Sequence, residues 1–228
     1  MYKYETHMHT MEGSACSNAP AAEMAEKYKA EGYDGIFVTD HFFNGNTAVP
    51  YDLPWDERVE YFCKGYENAL ERGKKIGLKV FFGFEYGNGG SDFLIYGLDK
   101  NWLLSHNYIL EMELTRFLEL ARSEGAFVVQ AHPFRDWEYI RSTTHCPHFV
   151  DAVEVINASH PLDKPFNYRA NEYAKWYDLP RTAGSDAHNT TDRWYGGGVA
   201  SETPFESFED YADAVLSGKL TLLDRKDG

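Results

Sequence analysis

The chain opens with Tyr2-Lys3-Tyr4-Glu5-Thr6-His7-Met8-His9, a β-like run that ends in two histidines one residue apart. A second run, Gly35-Ile36-Phe37-Val38-Thr39-Asp40-His41, is apolar until it too ends in an acid and a histidine. Between the two runs, Met24, Ala25 and Tyr28 recur at helical spacing. A strand, a helix and another strand in this order are typical of parallel strands joined by crossover helices.

The alternation of strand and helix continues along the chain. Strands are predicted at residues 2–9, 35–41, 78–85, 126–132, 152–157, 181–186 and, more briefly, 198–201. Amphipathic helices are predicted at 59–70 and 110–121, and a capping box at 203–206 is expected to start a last helix. Six or seven β/α units favour a closed barrel, although an open doubly wound sheet would give much the same pattern.

Length and composition fit a single α/β domain over residues 1–228. Hydrophobic residues make up 43% of the chain and charged residues 25%, which excludes disorder, collagen and coiled coil. There is no run of about 18 apolar residues and no apolar leader at the amino terminus. We therefore expect a cytoplasmic protein with no membrane segment.

The charge balance and the cysteines restrict the partners further. Lys and Arg number 22 against 36 Asp and Glu, for a net charge of -14. This charge repels phosphate backbones, so a nucleic-acid partner would need a local positive site such as a bound metal. Cys16, Cys63 and Cys146 are few and widely spaced, and we expect them to be reduced thiols.

Side chains able to bind metal stand where the predicted strands end. They occur in His7-Met8-His9, Thr39-Asp40-His41, Gly83-Phe84-Glu85, Ala131-His132-Pro133 and Gly184-Ser185-Asp186-Ala187-His188. Any one of these histidines alone is more often a hydrogen-bonded core or loop residue. In a parallel barrel, however, all the carboxyl ends open onto one face, and burying so many uncompensated groups costs several kcal/mol. The set therefore predicts a metal site.

The ligand types indicate the metals and the chemistry. Imidazole and carboxylate with no evident thiolate suit Zn, Mn or Fe. More than four candidate ligands imply more than one ion, and a carboxylate such as Glu85 can bridge two ions. Paired ions activate water and neutralise a leaving phosphate oxygen, so phosphoester hydrolysis is the natural chemistry.

The five motifs, in this order from residue 7 to residue 188, resemble those of the polymerase and histidinol phosphatase (PHP) superfamily of metal-dependent phosphoesterases. The resemblance implies a distorted (β/α)7 barrel with two or three divalent ions at the carboxyl ends of its strands. It implies a first ion on His7, His9, Glu85 and Asp186, a second on Glu85 and His132, and a third on His41 and His188.

The chain departs from the pattern of this family at two places. Family members commonly have a His a little after the Glu85 position, where this chain reads Asp92-Phe93-Leu94-Ile95-Tyr96-Gly97. They also often have Asp or His a few residues after His-x-His, where Glu12 is the favoured substitute here and Cys16 would be an unusual thiolate ligand.

Further polar residues near the strand ends are candidates for contacts with substrate. Arg135 and Arg193 could each donate two parallel hydrogen bonds to a phosphate. The alternative is that each is an ordinary surface arginine. Asn157 could orient substrate or cap the next helix. Asp186 or His188 is expected to help protonate the leaving group.

We therefore expect a multinuclear metal-dependent hydrolase of a small phosphorylated molecule. One alternative is a nuclease or protein tyrosine phosphatase of the same family. Another is a metal-binding regulatory domain whose catalysis has lapsed, which the incomplete second site leaves open. The sequence does not indicate an oligomeric state.

Overall fold

The computed structural model describes residues 1–138, 140, 142–192 and 196–225. Its strands, numbered in chain order, are β1 (Tyr2–Met8), β2 (Gly35–Val38), β3 (Lys79–Asn88), β4 (Ser91–Tyr96), β5 (Phe127–Ala131), β6 (Ala152–Asn157), β7 (Arg181–Gly184), β8 (Gly198–Ser201) and β9 (Thr221–Leu223). Its α-helices are α1 (Ala21–Ala30), α2 (Trp55–Phe62), α3 (Lys64–Ile76), α4 (Lys100–Ser105), α5 (Leu114–Ser123), α6 (Phe166–Trp176) and α7 (Phe208–Leu216), with a short 3-10 turn at Ile109–Glu111.

The strands form one sheet in the order β7-β6-β5-β4-β3-β2-β1-β8-β9, and β1 also meets the end of β7. Met8 and Ala187 form a parallel bridge, and the amide of Asp186 donates to the carbonyl of His7 at 2.7 Å. The sheet therefore curls from β1 to β7 into a nearly closed barrel. The α/β barrel expected from the sequence is confirmed.

The barrel differs from seven regular β/α units. Strand β4 is antiparallel to both of its neighbours, and β8 and β9 extend the sheet beside β1 in antiparallel pairs. Strands β3 and β4 are joined by a tight hairpin through Gly89 and Gly90, whose φ angles of 64° and 115° are open to glycine without strain. Within the described residues, no helix separates β3 from β4 or β5 from β6.

Aromatic packing covers the barrel at the end away from the histidines. Tyr4, near the start of β1, stacks on Phe205 with ring centroids 4.1 Å apart. Helix α7 brings the buried Tyr211 against Phe37 and Tyr96. Full burial of such a side chain stabilises the fold by roughly 1.5–3 kcal/mol. This end of the barrel is therefore a packed core, and the polar groups are left to the other end.

None of the helices in the described part of the chain combines the length and the apolar character that crossing a membrane requires.

Candidate metal centre

The ends of five strands bring imidazoles and carboxylates together in one buried cluster. Glu85 lies at its middle, with only 1% of its surface exposed. Its Oε1 is 3.0 Å from His132 Nε2 and 3.4 Å from His7 Nε2. Its Oε2 is 2.7 Å from His41 Nδ1 and 3.4 Å from His9 Nε2. A single carboxylate thus contacts four imidazoles that come from distant parts of the sequence.

Asp186 closes the other side of the cluster. Its Oδ1 is 3.1 Å from His9 Nε2 and 3.5 Å from His7 Nε2. His188 lies 3.7 Å from the same oxygen through its Nδ1, and its ring stacks on His9 with centroids 4.3 Å apart. The structure therefore brings together the residues that the sequence placed at the ends of β1, β3, β5 and β7.

The donor atoms fall into three groups whose members lie within 4.8 Å of one another. The groups are His7 with His9 and Asp186, His7 with Glu85 and His132, and His9 with His41 and His188. Glu85 also contacts members of the other two groups, as the distances above show. Each group contains residues of one of the ligand sets that the resemblance implies, although the first lacks Glu85, the second adds His7 and the third adds His9.

A bound cation would satisfy the donor atoms of the cluster better than they satisfy one another. His41 Nδ1 and Glu85 Oε2 are close, yet both are buried and neither has a partner in hydrogen-bond geometry among the described residues. Leaving buried polar atoms unsatisfied costs about 1–3 kcal/mol each. A divalent ion would satisfy such carboxylate and imidazole atoms together, and this donor mixture suits Zn, Mn or Fe.

Burial and the neighbouring charges shift the pKa values of the cluster in opposite directions. Burial alone would lower the pKa of His7, but Glu154, Asp186 and Glu85 raise it well above its usual value. Burial would raise the pKa of Asp186, but Arg135 and His7 lower it well below its usual value. The carboxylates are therefore ionised and ready to bind a cation.

Hydrogen bonds behind the cluster fix which nitrogen of each histidine faces inward. His7 Nδ1 lies 2.8 Å from Glu154 Oε1, so Nε2 is directed at Glu85 and Asp186. His9 Nδ1 lies 3.0 Å from the hydroxyl of Ser14, which itself donates to Asp40. Partners of this kind hold metal-binding histidines in one tautomer and one orientation.

Two buried acids in the middle of strands were missing from the site predicted from the sequence. Glu154 of β6 holds His7, accepts from the amide of His132 at 3.1 Å and is fully buried. Glu5 of β1 accepts from the amides of His7 and Ser185, and burial raises its pKa to about 7. The signal was present, because an acid within an otherwise buried strand needs a partner.

The backbone is strained at two of the strand ends. His132 and Asp186 have φ angles of 27° and 56°, in a region of backbone conformation that residues other than glycine rarely adopt. Such conformations cost about 1–3 kcal/mol and gather at functional sites. Next to them, a β-carbon at Gly184 would lie 2.5 Å from His7 Cβ and 2.7 Å from Glu154 Oε1, so glycine allows β7 to approach β1.

Asp92, at the start of the stretch that lacks a His, lies beside the cluster. Its Oδ2 is 4.0 Å from His132 Nε2, and burial together with the charge of Glu85 raises its pKa. Leu94 pairs with Glu85 across the hairpin and is buried in the aromatic core. The side chain of this stretch that lies beside His132 is therefore the carboxylate of Asp92, whereas Leu94 lies in the core.

Glu12 is not brought into the cluster. Its Oε2 accepts from the amide of Ala21 at the start of α1, and its Oε1 accepts from Asn68 at 3.0 Å. Cys16 of the same loop is partly buried. Burial would raise the pKa of its thiol, but the nearby His188 and His41 outweigh burial and bring the pKa to about 7.

Two of the three predicted substrate-contacting residues adjoin Asp186. Arg135 pairs with Asp186 Oδ2, and its guanidinium also donates to Ser159 at 3.3 Å. Asn157 donates to Asp186 at 3.3 Å and to Glu154 at 3.0 Å, so it braces the buried acids. Arg193, the third, lies outside the described residues.

Fold and cluster together define an α/β barrel with a buried centre of histidines and carboxylates at the carboxyl ends of its strands. The sequence matches a family model at residues 164–193, and the description of that family is PHP-associated. No curated protein matches the chain.

Solved structures share the fold at low sequence identity. A two-domain protein of Bacteroides vulgatus, described as containing a predicted PHP-like metal-dependent phosphoesterase, aligns with a TM-score of 0.70 at 16% identity. The alignment covers 98% of this chain and 65% of that one, so this chain spans about two thirds of the length of that protein.

Two further structures align over most of both chains. A candidate metal-dependent phosphoesterase of Bifidobacterium adolescentis has a TM-score of 0.52 and 18% identity, with 84% of this chain and 89% of that one covered. An amidohydrolase of Chromobacterium violaceum, with bound sulfate and no metal, has a TM-score of 0.54 and 14% identity, with 96% and 98% covered. The family-model match and the shared fold agree with the resemblance to the PHP superfamily that the sequence motifs carry.

Proposed function

We propose that the protein is a metal-dependent phosphoester hydrolase that acts on a small phosphorylated molecule with two or three divalent ions of Zn, Mn or Fe. One observation carries the proposal: the buried carboxylate of Glu85 contacts four imidazoles and has an oxygen with no partner in hydrogen-bond geometry among the described residues. The barrel of residues 1–228 is proposed to be one catalytic domain.

We assign the residues to the proposed ions from the three donor groups together with the contacts of Glu85 and Asp92. His7, His9, Glu85 and Asp186 would hold the first, Glu85, His132 and Asp92 the second, and His41 and His188 the third. Ions bound there supply Lewis acidity to the phosphoryl oxygens and lower the pKa of a water molecule.

The side chains around the centre position the reactants. Arg135 lies beside Asp186, where its planar guanidinium can turn from the carboxylate to two oxygens of a phosphate. His188 is partly exposed at the same edge, 3.7 Å from the ionised carboxylate of Asp186, and is proposed to donate a proton to the leaving oxygen when no third ion is bound to it. Glu154 keeps the His7 ring fixed and thereby preserves the spacing of the centre.

Two observations favour a small phosphorylated substrate. The net charge of -14 opposes a long polyanion, whereas one phosphate needs only the local positive charge of ions and Arg135. The sulfate in the Chromobacterium structure is a tetrahedral dianion, as a phosphate can be, on the same fold.

The experiment uses protein reconstituted with Mn, Zn or Fe. It compares the turnover of an aryl phosphate monoester with the turnover of the matching diester and of the matching anilide. We expect the monoester to be cleaved fastest. Faster cleavage of the diester would favour the nuclease alternative, and faster cleavage of the anilide would favour amide hydrolysis. Binding of metal without turnover of any of them would identify a regulatory domain.

Arg135→Ala tests the phosphate contact. Loss of a charge-assisted bidentate contact costs about 1.5–3 kcal/mol, so we expect kcat/KM to fall by one to two powers of ten with metal content unchanged. Arg116→Ala, at an exposed position of α5, is the control. Unaltered kinetics in Arg135→Ala would assign Arg135 to bracing Asp186 alone.

Asp92→Asn tests the second ion. The substitution removes a negative charge beside His132 and should lower the binding affinity of the second ion by about tenfold or more. The first ion, with two imidazole and two carboxylate ligands, should keep its affinity. Metal titration followed by calorimetry measures both. The wild-type protein should already show unequal affinities, and two equally tight sites would contradict this assignment.

A further inference from the structure

The fully buried carboxylate of Glu5 joins β1 to the end of β7. Its Oε1 accepts from the amide of His7 at 2.8 Å and from the amide of Ser185, the residue after β7, at 2.9 Å. Its Oε2 accepts from the hydroxyl of Tyr28 in α1 at 3.0 Å. A single side chain therefore ties three elements together at the place where the barrel closes.

Ser185 extends these bonds to the residues around Asp186. The hydroxyl of Ser185 lies 2.8 Å from the hydroxyl of Tyr28 and accepts from the amide of Ala187 at 3.2 Å. The amide of Asp186 itself donates to the carbonyl of His7 at 2.7 Å. The backbone is thus held at Asp186 and on both sides of it.

The backbone conformation of Asp186 depends on such support. Its φ angle is 56°, and conformations in this region persist only where the surrounding structure fixes them. In this conformation Oδ1 of Asp186 lies 3.1 Å from His9 Nε2 and 3.5 Å from His7 Nε2. A return to an ordinary conformation would turn the carboxylate away from both imidazoles, because the direction of the Cα–Cβ bond follows the backbone.

Histidines of the other donor groups are held by different side chains. The amide of His132 donates to Glu154, and the amide of His41 donates to the hydroxyl of Ser14. Within the described residues, Glu5 makes no hydrogen bond to His132 or His41. A change at Glu5 should therefore act on the first ion and spare the second and third.

We propose that Glu5 is a positioning residue for the first ion. Together with Tyr28 and Ser185 it forms a network, here called the Glu5 network, that holds Asp186 in its left-handed conformation and thereby sets the affinity of that ion. The proposal rests on the metal centre proposed above and deepens it. Glu5 touches neither the ion nor the substrate, and it acts through the backbone at the ends of β1 and β7.

Metal titration of three variants tests the proposal. Glu5→Met keeps the length of the side chain and removes both acceptors, so we expect the first ion to bind about 10–100-fold more weakly. Glu5→Gln keeps an oxygen that can accept from both amides, and it should restore most of this affinity. Thr182→Val is the control for lost stability, because it removes a buried hydrogen bond to Tyr211 in the core away from the histidines. It should lower the melting temperature and leave every metal affinity unchanged.

The first ion is identified as the tightest one, whose affinity Asp92→Asn leaves unchanged. If Glu5→Met binds it as tightly as wild type does, or if Thr182→Val weakens it as much, the proposal is wrong while the metal centre stands. Absence of metal binding by the wild-type protein would remove both proposals.

Amide hydrogen exchange of the metal-free protein gives a readout that needs no ion. We expect the Asp186 amide to exchange faster in Glu5→Met than in wild type and Thr182→Val, while the amides of β5 stay protected. Tyr28→Phe removes one hydroxyl of the Glu5 network and keeps the ring, so it should change both readouts in the same direction by a smaller amount. If Glu5→Met does not fold, Tyr28→Phe decides the question. Unchanged exchange at Asp186 and an unchanged first-ion affinity in Tyr28→Phe would contradict the proposal.

Discussion

Removal of divalent ions is expected to reduce phosphoester turnover to the uncatalysed background, and added Mn, Zn or Fe is expected to restore it. In the proposed function the chain supplies metal ligands, orientation and the phosphate contact of Arg135, whereas bound ions would lower the pKa of water from about 15.7 towards 7. The measurement is aryl phosphate turnover before chelation, after chelation with metal content verified, and after each metal is returned.

A thermal melt is the control for this experiment. The metal-free protein should still unfold cooperatively, because the aromatic core around Tyr4, Phe37 and Tyr211 lies at the opposite end of the barrel. Full turnover by a verified metal-free sample would contradict the account, whereas loss of the folded state on chelation would require repeating the assay at lower temperature.

Glu85→Gln is expected to lower turnover by several orders of magnitude and to remove at least one ion. Each oxygen of Glu85 contacts two imidazoles, and the carboxylate is shared by the first and second proposed sites. The amide has nearly the same shape but lacks the charge that offsets two cations. Turnover and metal content per chain measure the two effects together.

Two variants control for the Glu85 substitution. Glu119→Gln makes the same chemical change at an exposed position of α5, and His148→Ala removes an exposed imidazole of the loop before β6. We expect both to keep wild-type turnover and metal content. If Glu85→Gln behaved like either of them, the assignment of Glu85 as the bridge would be wrong.

Much of the fold could be predicted because its parallel strands are short apolar runs that end in polar groups. Residues 35–41, for example, contain β2 and then Asp40 and His41 at its carboxyl end. The antiparallel β4 was missing from the predicted strands, although Asn88-Gly89-Gly90 is a hairpin signal, because a strict alternation of strand and helix has no place for a second strand directly after β3.

The last helix was predicted to start four residues too early, at Pro204. Thr203-Pro204-Phe205-Glu206 has the pattern of a capping box, yet α7 begins at Phe208. Ser207 and Asp210 form the capping box instead, with Asp210 Oδ2 accepting from the amide of Ser207 at 3.1 Å. Phe205 is buried against Tyr4, and this packing of the preceding segment takes precedence over the local pattern.

The cluster itself could be predicted, whereas the neighbouring side chains that hold its residues in place could not. Carboxyl ends of parallel strands meet at one face whatever the details of register, so His7, Glu85, His132 and Asp186 converge. Which acid of a loop reaches that face depends on the local hydrogen bonds, and these turn Glu12 away.

The central claim is that Glu85 joins two divalent ions in the cluster, and anomalous diffraction from crystals grown with Mn²⁺ or Zn²⁺ and phosphate tests it most directly. The account predicts two or three anomalous peaks, one among His7, His9 and Asp186 and another beside His132, both in contact with Glu85, with phosphate oxygens against them. A map with metal bound elsewhere, or with no anomalous peak at Glu85 in a crystal that contains the ions, would contradict it.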